Sequence, residues 1–267
     1  MNSQNGAFTA ISTSDAHSIT VRGMDLCSEL IGKVGFTEYF FLLLTGARPS
    51  ADQLMLLDAL LVSIAEHGLV PSNQAARMTL AAAPDALQGA VAAGILGCGS
   101  VVLGSSEACG RFLAGLVARA EAEGRPAREV ALEALRELRA AKRPVPGYGH
   151  PQHSGGDPRA ERLLALARER GVAGAHVAML EAVAGLIPEV YGRSLPINVS
   201  GAIPAVALDI GFPLDALKGI PILARTASLI AHLHEEMARP IGFKLSGRAA
   251  EAVSYDGPPS PPAAQSN

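Results

Sequence analysis

Residues 143–159 read Arg-Pro-Val-Pro-Gly-Tyr-Gly-His-Pro-Gln-His-Ser-Gly-Gly-Asp-Pro-Arg, and the interpretation of the whole chain starts from this stretch. Amphipathic patterns at 124–142 and 159–170 predict a helix on each side of it. The closely spaced prolines and glycines between those helices exclude a regular element. A glycine-rich loop of this kind exposes backbone N–H groups and lets a ligand approach the main chain.

The loop also carries groups that suit an anionic ligand. His150 and His153 are imidazoles that titrate near neutral pH, and Arg159 is a permanent cation. Together they are typical of a site for a polyanion that has a carboxylate and a carbonyl to polarise. The alternative is a surface loop whose prolines merely separate two helices.

The sequence Val-Pro-Gly-Tyr-Gly-His at 145–150, followed by Asp-Pro-Arg at 157–159, resembles the signature of the citrate synthase superfamily. That superfamily includes the citryl-CoA lyases and the citryl-CoA-cleaving module of ATP-citrate lyase. The resemblance implies an all-α, citrate synthase-like multi-helix fold with a large helical domain and a small lobe, and it implies a homodimer. We therefore expect one such domain at 1–252, with the small lobe at roughly 140–215, and a disordered tail at 253–267.

Local patterns predict several further elements. Loose alternation at 8–22 predicts a short hairpin. Apolar periodicity predicts single helices at 51–68, 74–82, 86–98 and 219–238, and two helices within 159–187. The uncharged run 86–106 is long enough to span a bilayer, but its glycines favour a buried helix instead.

Composition excludes some classes of partner. The 267 residues are 49% hydrophobic with no Trp, which favours closely packed helices. The net charge of −3 gives no global attraction to nucleic acid or to an anionic membrane, so any anion site must be local. Residues 1–20 lack the apolar core of a secretory signal. We therefore expect a cytoplasmic protein whose three thiols are reduced and buried: Cys27, Cys98 and Cys109.

Two catalytic positions depart from the superfamily pattern. Residues 99–108 align without a gap to its Gly-Pro-x-His-Gly-Gly-Ala-x-Glu-Ala, which puts Val102 where citrate synthases have the His that stabilises the enol of acetyl-CoA. The citryl-CoA-cleaving module of ATP-citrate lyase also has an apolar residue there. Residues 196–201 resemble Pro-Asn-Val-Asp, but Ser200 replaces the Asp that moves the methyl proton. A serine without its own base has a pKa far too high to remove that proton, although it could hydrogen-bond a thioester carbonyl or hold a water.

Three residues are expected to bind substrate carboxylates. His67 lies in Glu-His-Gly-Leu-Val-Pro-Ser, which partly matches the superfamily's oxaloacetate-binding Asp-His-x-x-Asn-x-Ser. Arg225 matches the Arg of Gly-Arg-Thr-x-Gly-x-x-Ala-His, and Arg159 closes the Asp-Pro-Arg motif. An arginine in an otherwise apolar helix is costly to bury unpaired, which independently favours an anionic partner for Arg225.

The resemblance also implies how coenzyme A binds. The loop backbone is expected to surround the adenine, through Val145, Pro146, Gly147, Tyr148 and Gly149. Candidate phosphate ligands, which are equally well explained as surface charges, are Lys142, Arg143 and Arg193. The CoA thioester is substrate or product, and no covalently bound cofactor is expected. We expect no metal site, because His232 and His234 cannot face the same way on a helix.

Cleavage of citryl-CoA needs a base at the tertiary hydroxyl, donors for the departing enolate and a proton for the new methyl group. His150 suits the hydroxyl, and His153 or a water on Ser200 is a candidate proton source. Three functions remain open. The first is a lyase that cleaves citryl-CoA, or a related 3-hydroxy-3-carboxyacyl-CoA, to acetyl-CoA and oxaloacetate. The others are a condensing or cleaving enzyme for another acyl-CoA, and a catalytically silent subunit that binds CoA esters or dicarboxylates.

Overall fold

The computed structural model describes residues 7–99, 103–149 and 156–258. The chain divides into two compact units, the first made of Met1–Glu66 with Gly99–Arg225 and the second of His67–Cys98 with Thr226–Asn267. The predicted boundaries of the domain, its small lobe and its tail stay predictions. No helix in the described ranges combines the length and apolarity that a membrane crossing requires.

The first unit begins with a small antiparallel sheet and is otherwise helical. The sheet has the order β1-β2-β3, with strands Ser12–Ser14, Ile19–Val21 and Met24–Asp25. A π-helical turn follows at Leu26–Leu30. The helices of this unit are α1 (Phe36–Thr45), α2 (Ala51–Ala65), α5 (Gly104–Glu123), α6 (Ala127–Ala140), α7 (Pro158–Glu169), α8 (Ala175–Tyr191) and α9 (Val199–Asp209). The all-α prediction is confirmed, as is the hairpin within 8–22.

Helix α9 is the centre of the first unit. It packs against α2, α5, α7 and α8, and its residues from Gly201 to Ala207 are all buried. Its small side chains let the surrounding helices come close, and Asn198 caps its N-terminus by accepting the N–H of Gly201. The sequence patterns did not predict this helix. A helix buried on every side has no polar face, and Pro204 inside it is ordinarily a helix breaker.

The second unit consists of α3 (Pro71–Ala82), α4 (Leu87–Leu96), most of α10 (Gly219–Ala238) and α11 (Gly242–Glu251). Its core joins α3, α4 and α10 through Ala76, Leu80, Ala90, Leu229 and Leu233. Beside this core, Arg77 is 3% exposed and donates from Nε to Glu236 at 2.7 Å. Glu236 in turn accepts the backbone N–H groups of Ile241 and Gly242, so one buried ion pair connects three helices.

Two sequence expectations were wrong in detail. The helix predicted at 51–68 ends at Ala65, because Gly68 has a positive φ of 66° and Pro71 starts the next helix. Of the three cysteines expected in the core, Cys27 is exposed, since it lies in the π-helical turn, where Leu30 is the buried residue. Cys98 and Cys109 are buried as predicted.

Candidate active site

The predicted site residues fall into three groups. His150 and His153, as well as Val102, lie outside the residues that the structure describes. His67 belongs to the second unit, where it is exposed in the turn between α2 and α3. The remaining predicted residues belong to the first unit: Lys142, Arg143, Val145, Pro146, Gly147, Tyr148, Gly149, Arg159, Arg193, Ser200 and Arg225.

The loop before residue 150 is fixed to the segment that leads into α9. Gly149 N donates to Pro196 O at 2.8 Å, and Asn198 N donates to Gly147 O at 3.1 Å. The Asn198 side chain adds a third bond, from Nδ2 to Gly149 O at 2.7 Å. Asn198 therefore joins the loop to the N-terminus of α9, which it also caps.

Among the described glycines of the loop, Gly147 comes closest to another part of the backbone. Its φ is +88°, and a Cβ atom there would lie 2.5 Å from Cys109 Sγ and 2.8 Å from Gly201 Cα. Only glycine fits this position, for both conformational and steric reasons. Burial raises the pKa of the Cys109 thiol to about 12, so this sulfur is a packing group rather than a thiolate nucleophile.

The Tyr148 side chain points into the core, where its hydroxyl donates to Leu180 O at 2.7 Å. The side chain is 8% exposed, and burial raises the pKa of its hydroxyl. Tyr148 thus anchors the loop on α8, and any contact of this residue with a ligand would come from its backbone.

Asp157 connects the far end of the loop to both Arg159 and α9. This carboxylate is 1% exposed and caps α7 by accepting the N–H of Arg159. Its Oδ1 also accepts Arg159 Nε at 3.0 Å, and its Oδ2 accepts Arg159 Nη2 at 2.9 Å. A fourth bond runs from Val199 N to Oδ2 at 2.9 Å. The side chain of Arg159 and the first turn of α9 are therefore held by one carboxylate.

The electrostatics of Asp157 follow from these contacts. Burial by itself would raise the pKa of this carboxyl, but the hydrogen bonds from Arg159 and Val199 outweigh it and lower the pKa. Asp157 is thus ionised at neutral pH and balances the Arg159 charge. Arg159 keeps N–H groups beyond those that Asp157 uses, and its side chain is 25% exposed.

Ser200 lies in the first turn of α9, directly after the residue whose N–H Asp157 accepts. Its Oγ accepts a hydrogen bond from Ser105 Oγ at 3.0 Å, and Ser105 lies in the first turn of α5. Both side chains are half-buried. The structure therefore brings two helix N-termini, each with a serine hydroxyl, to one point.

Arg225 is 3% exposed and donates from Nη1 to Ala65 O, the last residue of α2, at 3.4 Å. In the second unit, Asn73 is fully buried and donates from Nδ2 to Gly68 O at 2.5 Å. This bond fixes the turn directly after His67. Whether Arg225 and His67 bind a substrate carboxylate stays a prediction.

A cavity of about 650 Å³ lies between α5 and α6, next to the start of the loop. Apolar and charged side chains line it, among them Phe112, Leu138, Pro146, Arg111, Arg119, Arg143 and Glu137. Arg119 is 2.8 Å from Glu133 and Arg111 is 3.1 Å from Glu107, so these two cations are already balanced. Arg143 is exposed at the point where the cavity meets the loop, and Arg193 is exposed after α8.

Sequence patterns did not assign a role to Asp157, Asn198 or Ser105. An Asp directly before Pro158 is a helix-start signal, so the capping role of Asp157 was open to prediction. Its bond to Val199 and the Ser105–Ser200 bond join residues 42 and 95 positions apart, and no local pattern encodes such pairs.

Solved structures similar to the chain include three informative ones. Citryl-CoA lyase from Hydrogenobacter thermophilus is 33% identical with a TM-score of 0.84, over 97% of this chain and 98% of that one. ATP citrate lyase from Methanosaeta concilii, in complex with (3S)-citryl-CoA, is 21% identical with a TM-score of 0.73, over 97% of this chain and 43% of that one. Citrate synthase from Thermotoga maritima is 17% identical with a TM-score of 0.64, over 88% of this chain and 60% of that one. No curated protein matches the chain.

Residues 36–243 match the family described as citrate synthase, C-terminal domain. Among the described elements, the match covers α1 to α10 and the first two residues of α11. It agrees with the full-length similarity to a citryl-CoA lyase at more than 30% identity. The chain therefore belongs to the citrate synthase family.

Proposed function

We propose that the protein is a carbon–carbon lyase of the citryl-CoA lyase type, which cleaves citryl-CoA or a related 3-hydroxy-3-carboxyacyl-CoA to acetyl-CoA, or another acyl-CoA, and oxaloacetate. The observation that carries the proposal is the similarity to citryl-CoA lyase, which extends over nearly the whole length of both chains. Citrate synthase and ATP citrate lyase share the fold but are considerably longer.

The arrangement around Asp157 supports a carboxylate-binding role for Arg159. Because Asp157 holds Nε and Nη2, the guanidinium plane is fixed before any ligand arrives. Pre-organisation of this kind lowers the entropy cost of binding, and the remaining N–H groups can donate to a substrate carboxylate. We propose that Arg225 and His67 bind the other carboxylates, and that His150 takes the proton of the tertiary hydroxyl.

The loop and the cavity beside it support the proposed binding of coenzyme A. The carbonyl of Gly147 and both polar groups of Gly149 are held by the segment before α9, so the loop is a rigid edge for a ligand. Arg143 and Pro146 border the cavity between α5 and α6, which is within the size range of small-molecule sites of about 300–1,000 Å³. We propose that the nucleotide part of CoA lies against this edge, with Arg143 and Arg193 near its phosphates.

The test is turnover of citryl-CoA, followed as oxaloacetate through malate dehydrogenase and NADH. We expect His150→Ala to abolish activity. Arg159→Gln should lower kcat/KM by about 10- to 100-fold, because it removes charged hydrogen bonds to the substrate. Arg162→Gln is the matched control, since Arg162 lies on the same helix, is 61% exposed and pairs with Glu169. Equal activity of the Arg159 and Arg162 variants would contradict the proposed role of Arg159.

A second candidate function is a silent subunit that binds CoA esters or dicarboxylates. It is favoured by the contacts of Ser200, whose partner in the described part of the chain is another hydroxyl rather than a carboxylate or imidazole. In that case citryl-CoA would not turn over, while CoA or citrate would still raise the melting temperature. Turnover of another acyl-CoA in the same assay would instead identify a different acyl substrate.

We also propose that the protein acts in the cytoplasm as a homodimer. Sedimentation equilibrium of the purified chain tests for the homodimer, and a mass of one chain at micromolar concentration would contradict it.

A further inference from the structure

The hydroxyl pair of Ser105 and Ser200 is held by the packing of two helices. Helices α5 and α9 pack against each other. Two turns into α5, Gly110 lets Pro204 of α9 come so close that a Cβ on Gly110 would be 3.1 Å from Pro204 Cβ. The 3.0 Å distance between the two Oγ atoms therefore follows from the backbone arrangement and short side chains.

We propose that Ser105 is a positioning residue for Ser200, and that the pair delivers the proton to the carbon of the leaving enolate. This inference rests on the proposed lyase function. A hydroxyl has one hydrogen to donate and can accept with its lone pairs. When Ser105 donates to Ser200 Oγ, the Ser200 hydrogen is directed away from Ser105 and can point towards a bound thioester.

Two hydrogens move in the proposed proton transfer. The bond between the enolate carbon and the Ser200 hydrogen forms while the Ser200 O–H bond breaks. Ser200 Oγ takes the Ser105 hydrogen in the same step, and water restores the proton on Ser105. The hydroxyl proton of the substrate leaves to solvent through its base, so no net proton is gained or lost.

A serine hydroxyl can donate the proton to the enolate carbon, although it cannot efficiently remove a proton from the methyl group in the reverse direction. A thioester enolate carbon is a stronger base than an alkoxide, so donation from a hydroxyl to that carbon is downhill. A hydroxyl is also fully protonated at neutral pH, whereas a carboxyl of ordinary pKa would be ionised and would have no proton to give. The pair therefore favours a cleavage mechanism at neutral pH.

Ser105 contributes because its hydrogen bond to Ser200 Oγ becomes charge-assisted as negative charge develops on that oxygen and the Ser105 hydrogen moves towards it. Such bonds are roughly twice as strong as those between neutral groups. The first turns of α5 and α9 add partial positive charge near both oxygens, which acts in the same direction. Removing the Ser105 hydroxyl should consequently slow the chemical step more than it weakens substrate binding.

The experiment compares Ser105→Ala, Ser105→Thr and Ser106→Ala with the wild type in the citryl-CoA assay. Ser106 is the matched control, because it is the next residue in the same helical turn and its side chain is buried. We expect Ser105→Ala to lower kcat by about 10- to 100-fold with little change in KM. Ser105→Thr keeps the hydroxyl and should restore most of the rate, and Ser106→Ala should retain the wild-type rate.

A proton inventory in mixtures of H₂O and D₂O separates delivery of the proton from a merely structural effect. Two hydrogens move in the proposed step, so the wild-type rate should depend on the deuterium fraction along a curve. The dependence for Ser105→Ala should be linear. In a Ser200→Ala background, adding Ser105→Ala should cause no further loss, because the two hydroxyls act as one unit.

The experiment distinguishes failure of the proposed lyase function from failure of the Ser105 inference. A wild type that turns over no acyl-CoA would remove the proposed function, and this inference with it. An active wild type with equal kcat in Ser105→Ala and Ser106→Ala would overturn the inference alone. Additive losses from the two serines, or a linear proton inventory in the wild type, would overturn it as well.

Discussion

Replacing Asp157 by alanine removes four hydrogen bonds at once. The side chain accepts Arg159 N, Arg159 Nε, Arg159 Nη2 and Val199 N. The first bond caps α7, the next two hold the Arg159 guanidinium, and the last satisfies the first turn of α9. The variant thus tests whether one buried carboxylate organises this part of the site.

The cost can be worked out bond by bond. Loss of an Asp N-cap costs about 0.5–2 kcal/mol, and a buried N–H left without an acceptor, here that of Val199, costs about 1–3 kcal/mol. Arg159 is 25% exposed and can turn to water, so loss of its pair with Asp157 adds little to the cost. We expect a total of about 1.5–5 kcal/mol. A loss of about 3 kcal/mol corresponds to a melting temperature lower by about 6–12 °C in a unit of this size.

Two further variants sharpen the measurement. Asp157→Asn can keep the cap, but its amide N–H groups would face the N–H donors of Arg159 or Val199. The free energy of unfolding should therefore fall by about 1–3 kcal/mol. Asp52→Ala is the matched control, because Asp52 also lies in a first helical turn but is 43% exposed and pairs with Arg170 at 3.5 Å. An exposed pair of this kind is worth about 0–1 kcal/mol.

The stabilisation by the Asp157 carboxylate should also depend on pH. The pKa of Asp157 is lowered in the folded protein, so its stabilisation is fully present above the unfolded pKa of about 3.9. It is lost as the pH falls through the lower folded pKa. The difference in melting temperature between wild type and Asp157→Asn should therefore shrink below about pH 4. Equal melting of the Asp157 and Asp52 variants at pH 7, or a difference that grows in acid, would refute the reasoning.

Two other predictions concern the loop and the second unit. Gly147→Ala should destabilise far more than Gly192→Ala: both glycines have positive φ, which costs about 1–2 kcal/mol for alanine, but only Gly147 also contacts the backbone of α9. Thermal denaturation of both variants measures the difference, and equal shifts would contradict the close approach at Gly147. Arg77→Met should cost about 3–5 kcal/mol, because it leaves the Glu236 carboxylate buried and unpaired. Arg248→Met, which removes an exposed pair, should cost less than about 1 kcal/mol. Urea titration of both arginine variants measures the difference, and similar unfolding midpoints would exclude a strong buried pair.

Sequence patterns predicted those elements whose signal is local. The helix expected at 219–238 has these bounds in the structure, because it has one apolar and one polar face. Ser50, directly before the predicted helix, caps α2 with a complete capping box. Each of these signals depends on residues within a turn or two of one another. The family resemblance was also local in origin, since it rested on short motifs at fixed offsets.

The chemical inventory of the candidate site was determined by the sequence alone: which imidazoles, guanidinium groups and hydroxyls are present, and that a serine stands at position 200. Only the tertiary structure decided how these groups are held. It places the Tyr148 side chain in the core, makes Asp157 the common acceptor for Arg159 and α9, and sets Ser105 against Ser200. The physical reason is that burial and hydrogen-bond partners depend on which distant segments pack together, and a one-dimensional pattern does not contain that packing.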